Sequence, residues 1–209
     1  MKQFLAILTF FVTTLYISIP AHALLGDFRI TYGNISGKPN KYNDAYFNFA
    51  DGPKISSQNY LGADAILILP MMPLGIGLRY ESAKDEDTAF AETIKYSITR
   101  LALILNYRII NTGIYLGPIA TYGLSHQLKF EIPTDLNKLD SDNSRSYSIG
   151  VEGGVKVGLF RIGAEAGQTT LVFDDIKNIN GAPATKNGLA VDKLDFSGAY
   201  YKVHLGFGF

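Results

Sequence analysis

Across residues 144–159 the chain alternates between two kinds of side chain. Tyr147, Ile149, Val151, Val155, Val157 and Leu159 hold one phase, broken only by Gly153, while Ser146, Ser148, Gly150, Glu152, Gly154, Lys156 and Gly158 hold the other. Successive strand residues point to opposite faces, so this order describes a strand with one apolar face and one small or polar face. A lone strand of this kind satisfies neither its backbone nor its apolar face. What the chain becomes therefore depends on how many such strands it has and what they close into.

Seven more segments carry the period. Ala199, Tyr201, Val203, Leu205, Phe207 and Phe209 oppose Gly198, Tyr200, Lys202, His204, Gly206 and Gly208. Phe28, Ile30 and Tyr32 oppose Asp27, Arg29 and Thr31; Leu61, Ala63, Ala65, Leu67 and Leu69 oppose Tyr60, Gly62, Asp64, Ile66 and Ile68. Residues 74–81 alternate Leu74, Ile76, Leu78 and Tyr80 against Gly75, Gly77, Arg79 and Glu81, and Phe160, Ile162, Ala164 and Ala166 oppose Arg161, Gly163, Glu165 and Gly167. In residues 113–128, Ile114, Leu116, Ala120, Tyr122 and Leu124 oppose Tyr115, Gly117, Thr121, Gly123 and Ser125; Pro118, with no N–H for a ladder, marks a bulge or an edge. Residues 94–107 conflict internally. Leu101, Leu103, Leu105 and Tyr107 set one phase and Ile94, Tyr96 and Ile98 the other, which a β-bulge near Thr99 and Arg100 reconciles.

Eight strands follow, joined by short connections at 70–73, 109–113 and 158–161 and by long polar ones at 33–57, 82–93, 127–143 and 169–195. No internal repeat or interdomain linker appears, so the chain reads as one domain of its 209 residues. A hydrophobic content of 47% excludes a disordered chain, and balanced charge (19 basic, 19 acidic) excludes nucleic-acid binding by bulk electrostatics. Without cysteine there is no disulfide framework, thiol nucleophile or lipidated cysteine.

The first residues read as an address. Lys2 precedes a nearly apolar run over 4–19, Pro20 breaks it, and Ala21, His22 and Ala23 form an A-x-A cleavage site. This is the order of a secretory signal peptide over residues 1–23, leaving 24–209 as the exported barrel. The run falls short of the ~20 residues that a membrane-spanning helix needs.

Alternation also fits a soluble carrier barrel of lipocalin type, with the apolar face turned inward. Four features turn it outward. The apolar faces run for about six positions, near the ~25 Å band of a membrane barrel once tilt is included. The opposite faces are rich in glycine and in charges that can pair, as the narrow interior of eight strands requires. Tyr32, Tyr80, Tyr107, Tyr122, Tyr147 and Tyr201 recur near strand ends, where headgroups lie. Short turns alternate with long loops, the asymmetry of outer-membrane barrels. The expected fold is all-β: a transmembrane, up-and-down, antiparallel barrel of eight strands.

At this point the chain resembles the small eight-stranded outer-membrane barrels of Gram-negative bacteria, the OmpA/OmpX type. The most specific element is the C-terminus, where Phe209, Phe207 and Lys202 match the aromatic, aromatic and polar positions of that family's terminal signal. His204 stands where the signal usually has glycine. The resemblance implies a cell outer membrane location and recognition of the terminal strand, ending in Phe209, by the barrel-assembly machinery. It also implies outer-membrane lipids, lipopolysaccharide included, as surroundings and a monomeric barrel.

The presumed inner face carries Asp27, Arg29, Asp64, Arg79, Glu81, Glu152, Lys156, Arg161, Glu165, Lys202 and His204, with Arg100 added if the bulge turns it inward. Unpaired charge in a narrow lumen costs several kcal/mol, so these groups are expected to pair as a plug with no open pore. Only His126 and His204 survive signal cleavage. His126 follows Ser125, and adjacent strand residues face apart, so the two make no nucleophile–base pair. Asp85-Glu86-Asp87, Asp140-Ser141-Asp142 and Asp174-Asp175 lack the spacing of a Ca²⁺ loop and read as solvated loop charge. No catalytic, cofactor-binding or metal residue is therefore assigned, and no cofactor or nucleic acid is expected. The function expected is structural or surface-interacting. The two alternatives are a lipid-modifying enzyme, with His126 as its base, and a soluble periplasmic carrier.

Overall fold

Every one of the eight segments forms a strand, and each pairs antiparallel with its neighbour in sequence. The computed structural model describes residues 25–37, 58–69, 72–89, 92–131, 139–141, 143–178, 180–186, 189–190 and 193–208. The strands are β1 (Leu25–Ile35), β2 (Gln58–Ile68), β3 (Leu74–Ala89), β4 (Glu92–Tyr107), β5 (Ile114–Glu131), β6 (Ser144–Val157), β7 (Phe160–Asp174) and β8 (Gly198–Gly208). β8 returns to β1, with Ile30 opposite Leu205 on one side and Ala63 on the other, so the sheet has no open edge. The expected up-and-down barrel is the fold. The leader segment 1–23 and the terminal Phe209 lie outside the described residues.

The apolar phase faces out. Ile30, Leu78, Leu103, Leu116, Val151, Ile162 and Val203 are all exposed on the barrel wall. Tyr32, Tyr80, Tyr122, Tyr147 and Tyr201 are exposed toward the long-loop end, and Tyr107, Phe160 and Phe207 toward the short-turn end. Aromatic rings thus flank an aliphatic band at both rims, the surface that lipid demands. A soluble carrier barrel would present the reverse. Closure also leaves no unpaired ladder group facing hydrocarbon.

Four expectations need correction. β4 contains no bulge: Tyr96, Ile98, Arg100, Ala102, Ile104 and Asn106 are buried in unbroken alternation. The register slips in its partner instead, where Leu101 faces Ser125 and Ala102 faces Gly123, leaving Leu124 as the extra residue of β5. Leu124 and Ser125 are then both exposed and His126 turns inward, so Ser125 is not on the inner face. Residues 82–93, expected as a loop, are mostly strand: β3 and β4 remain paired up to Ala89 and Glu92. β5 likewise extends to Glu131 and pairs with a short strand, Leu139–Ser141.

One physical cause underlies the first, third and fourth corrections. Beyond the tyrosine rim the surroundings become water, so the outward residues Lys84, Lys95, Ser97, Thr99 and Lys129 are polar and the inward Tyr96, Ile98 and Leu128 are apolar. The strand keeps its phase while polarity inverts around it. Pro118 needs no bulge, because the β4–β5 ladder ends beside it, at Asn106 opposite Ile119. At the opposite end β6 and β7 are joined by Gly158 and Leu159, and Gly158 takes φ 62°, as a two-residue hairpin with glycine in first place requires.

Candidate functional site

The lumen is filled in tiers. At the long-loop end lies an apolar cap. Ile35, Tyr60, Ala83, Tyr96, Ile98, Leu128, Leu171, Phe173 and Tyr200 from the strands meet Ile176, Ala184, Leu194 and Phe196 from the segment between β7 and β8. That segment folds back over the opening. Its strand Lys193–Asp195 pairs with the end of β7, and the Phe196 N–H donates to the Leu171 carbonyl at 2.8 Å. The Phe173 and Phe196 rings meet edge to face, 5.8 Å between centroids. The connection 169–195, expected as a polar loop, therefore supplies part of a core.

Below the cap is a charge-balanced tier. Arg79 donates Nε and Nη2 to both Asp64 oxygens at 2.8 and 2.9 Å, and Nη1 and Nη2 to both Glu165 oxygens at 3.0 and 2.7 Å. Glu81 accepts from Lys202 and, at 3.2 Å, from Arg100 Nη1. Arg100 Nη2 donates to Thr121 Oγ1 at 2.5 Å, and that hydroxyl contacts Ser148 Oγ at 2.5 Å. Three cations meet three carboxylates here, all buried. Two-point guanidinium–carboxylate bonding fixes both distance and orientation.

A second charged tier lies at the short-turn end. Arg29 donates to Asp27 Oδ2 at 2.9 Å and to Glu152 Oε2 at 2.6 Å; Arg108 reaches Asp27 at 2.5 Å, and Asn106 donates to Glu152 Oε1 at 2.6 Å. Arg161 Nε stands 3.4 Å from Asp27 Oδ1, and half-buried Lys156 bonds Asn111 at the rim. The Tyr115 ring lies beneath Arg108, with its Cζ 4.9 Å from the centroid, and the Tyr115 hydroxyl is 2.5 Å from His204 Nε2. A Cβ on either Gly154 or Gly163, which face each other across β6 and β7, would collide with that hydroxyl. Tyr115 thus fills lumen space that both glycines leave open, and His204 fills space beside Gly163.

Each charged residue assigned to the inner face lies inside, Arg100 included, with Lys156 alone only half-buried. Alternation places Tyr115 on the inner phase without giving it a role, and it does not single out Arg108 or Asn106. Arg108 sits one residue past the end of β4, where alternation offers no warrant.

His126 has a partner that its sequence neighbours did not reveal: Ser146 on β6, with Nε2 to Oγ at 2.6 Å. Gly123 permits the contact, since a Cβ there would collide with both side chains. His126 also lines a small opening of about 280 Å³ in the outer wall at the β5 bulge, with Tyr80, Thr99, Arg100, Leu101, Ser125 and Gln127. Ser146 does not line it.

Of the acidic runs, Asp85 and Glu86 are on β3 rather than in a loop, and Glu86 pairs with Lys95 at 3.2 Å in solvent. Asp140 and Ser141 fall on Leu139–Ser141, and Asp142 lies outside the described residues. Asn143 donates to Asp175 at 2.7 Å. Among the described residues no group of three or more His, Cys, Asp or Glu is placed to hold a metal ion.

No family model and no curated protein matches the chain. Among solved structures it is similar to a major outer membrane protein from Thermus thermophilus, at 10% identity and a TM-score of 0.48, over 88% of this chain and 99% of that one. It is similar also to the outer membrane protein OprG from Pseudomonas aeruginosa, at 14% identity and a TM-score of 0.47, over 90% of this chain and 96% of that one.

Proposed function

We propose that this chain is an integral outer-membrane barrel with a closed lumen and a structural or surface-interaction role, carried by the strands that project past the tyrosine rim. The observation that supports closure is Arg79, which reaches both Asp64 and Glu165 and so occupies the middle of the barrel. Above it the apolar cap offers an ion nothing to replace its water. The outward polar surface supports the surface role: β3, β4 and β5 form a groove of about 580 Å³ lined by Lys84, Glu86, Lys95 and Lys129 among others. Outer-membrane lipids, lipopolysaccharide among them, are the partners closest to hand, and assembly proceeds through the terminal strand.

Planar-bilayer recording tests the closed lumen. The expected result is a barrel that inserts, shifts its gel mobility on boiling, and shows no conductance steps. Steady channel openings overturn the reading.

A second reading, a lipid-modifying enzyme, draws on the His126–Ser146 hydrogen bond. Serine beside a histidine base is the start of an acyl-transfer site. Incubation with lipid A and phospholipids decides it: fatty-acid release that disappears in His126→Ala replaces the structural role, and no release retains it.

A further inference from the structure

The two charged tiers are not alike. In the middle tier Arg79, Arg100 and Lys202 face Asp64, Glu81 and Glu165, three against three. At the short-turn end Arg29, Arg108 and Arg161 share only Asp27 and Glu152, and Lys156 adds a fourth cation at the rim. Among the described residues, the short-turn tier is thus two positive charges in excess. Its donors are also underused. Arg108 Nη1 and Arg161 Nη1 are buried without a hydrogen-bond partner, while the two Nε atoms have only long carboxylate contacts, 3.5 Å to Glu152 and 3.4 Å to Asp27 Oδ1, itself without a hydrogen bond. Lys156 and Arg161 are directly opposite each other in the β6–β7 ladder on the inner face, and like charges so placed repel.

Buried cations in excess of their carboxylates are costly unless a counter-charge joins them. Guanidinium groups with free N–H edges match oxygen anions in geometry, and a lysine adds point charge. We propose that the short-turn end of the lumen is a binding site for a tetrahedral oxyanion such as phosphate. Arg108 and Arg161 are its donors, and Lys156 is the charge at its mouth. The anion meets the unpartnered Nη1 edges of Arg108 and Arg161, relieves the Lys156–Arg161 opposition, and offsets the surplus charge. The inference requires the barrel but not its surface role: conductance reads the closed lumen, and a titration reads this site.

The test uses the purified full-length barrel in an uncharged detergent, exchanged into phosphate-free buffer and titrated with inorganic phosphate by calorimetry and ³¹P NMR. Saturable binding of one phosphate per chain is expected. Arg161→Gln and Lys156→Gln should each weaken it at least tenfold, while Lys95→Gln, on the far extension, leaves it unchanged. Heat-shifted gel mobility certifies that each variant is folded. If Arg161→Gln fails to fold, Lys156→Gln, at the rim, carries the test. Absence of saturable binding, or affinity unchanged in Lys156→Gln, overturns the proposal. Repeating the titration in phosphatidylcholine and in phosphatidylglycerol nanodiscs separates the sources. Displacement of phosphate by phosphatidylglycerol assigns the site to a lipid headgroup, and equal binding in both assigns it to a free oxyanion.

Discussion

Arg79 on β3 and Glu165 on β7 meet across the full width of the barrel, at 3.0 and 2.7 Å, although their strands stand four places apart in a ring of eight. The same guanidinium grips Asp64 on the neighbouring strand, so one side chain ties three strands through the lumen. In such a network the cost of damage depends on what is left behind rather than on what is removed.

Arg79→Met alone leaves two buried carboxylates without their counter-charge, and breaking a buried pair from one side costs about 3–5 kcal/mol. Adding Asp64→Asn restores the balance of the tier, with Arg100 and Lys202 against Glu81 and Glu165. Urea titrations followed by heat-shifted gel mobility should place the double variant closer to the parent than the single one. A double variant at least as unstable as Arg79→Met would show that shape, not charge balance, holds this level together.

The sequence makes the barrel legible because hydrocarbon outside and a filled lumen inside impose opposite chemistry on adjacent residues. Val151 beside Glu152 and Ile162 beside Arg161 carry that signal. Past the rim the rule inverts, and Tyr96 and Ile98 look out of phase with Leu101 and Leu103 although the strand is regular. That inversion is what points to a bulge on the wrong strand. The bulge sits at Leu124, and its misplacement hides both the inward turn of His126 and its bond to Ser146 on another strand. Pairing of charges is foreseeable from the composition of the inner face; which acid meets which base is not, because contacts across the lumen depend on strand stagger and on residues such as Arg108 that lie beyond the alternating runs.

The outward face should answer to depth. Val151→Arg, in the middle of the β6 apolar run, is expected to cost about 2–4 kcal/mol. Spin labels at Val151, Val155 and Leu205 should report acyl chains, and labels at Lys84 and Thr99 should report water. Water at Val151 would contradict the membrane-spanning assignment, whereas lipid at Thr99 would move the rim outward.

The apolar cap and the ion tiers should fail independently. Phe196→Ala removes the ring that meets Phe173 edge to face, a truncation worth about 3–5 kcal/mol in a well-packed core. Faster hydrogen exchange is expected at the Phe196 amide, whose acceptor is Leu171. Conductance should stay silent, because Arg79 still fills the barrel below. Channel openings in Phe196→Ala would make the cap, rather than the charged tier, the closing element.

Gly163 offers the sharpest test of lumen packing. It pairs with His204 on β8 and Gly154 on β6, and a Cβ there would strike the Tyr115 hydroxyl and crowd His204 Nε2. Gly163→Ala should therefore destabilise the barrel by about 1–3 kcal/mol, the usual penalty for overpacking. Tyr115→Phe alone loses the bond to His204, a net cost of about 1 kcal/mol. Together the two should cost less than their sum, since removal of the hydroxyl takes away the nearest of the three atoms that the new methyl meets, leaving the Gly153 carbonyl and His204 Nε2. Unfolding midpoints of the four proteins in the cycle measure that coupling. Strict additivity would mean that the crowding at Gly163 arises from the backbone of β6, and that Tyr115 and His204 are free to shift away.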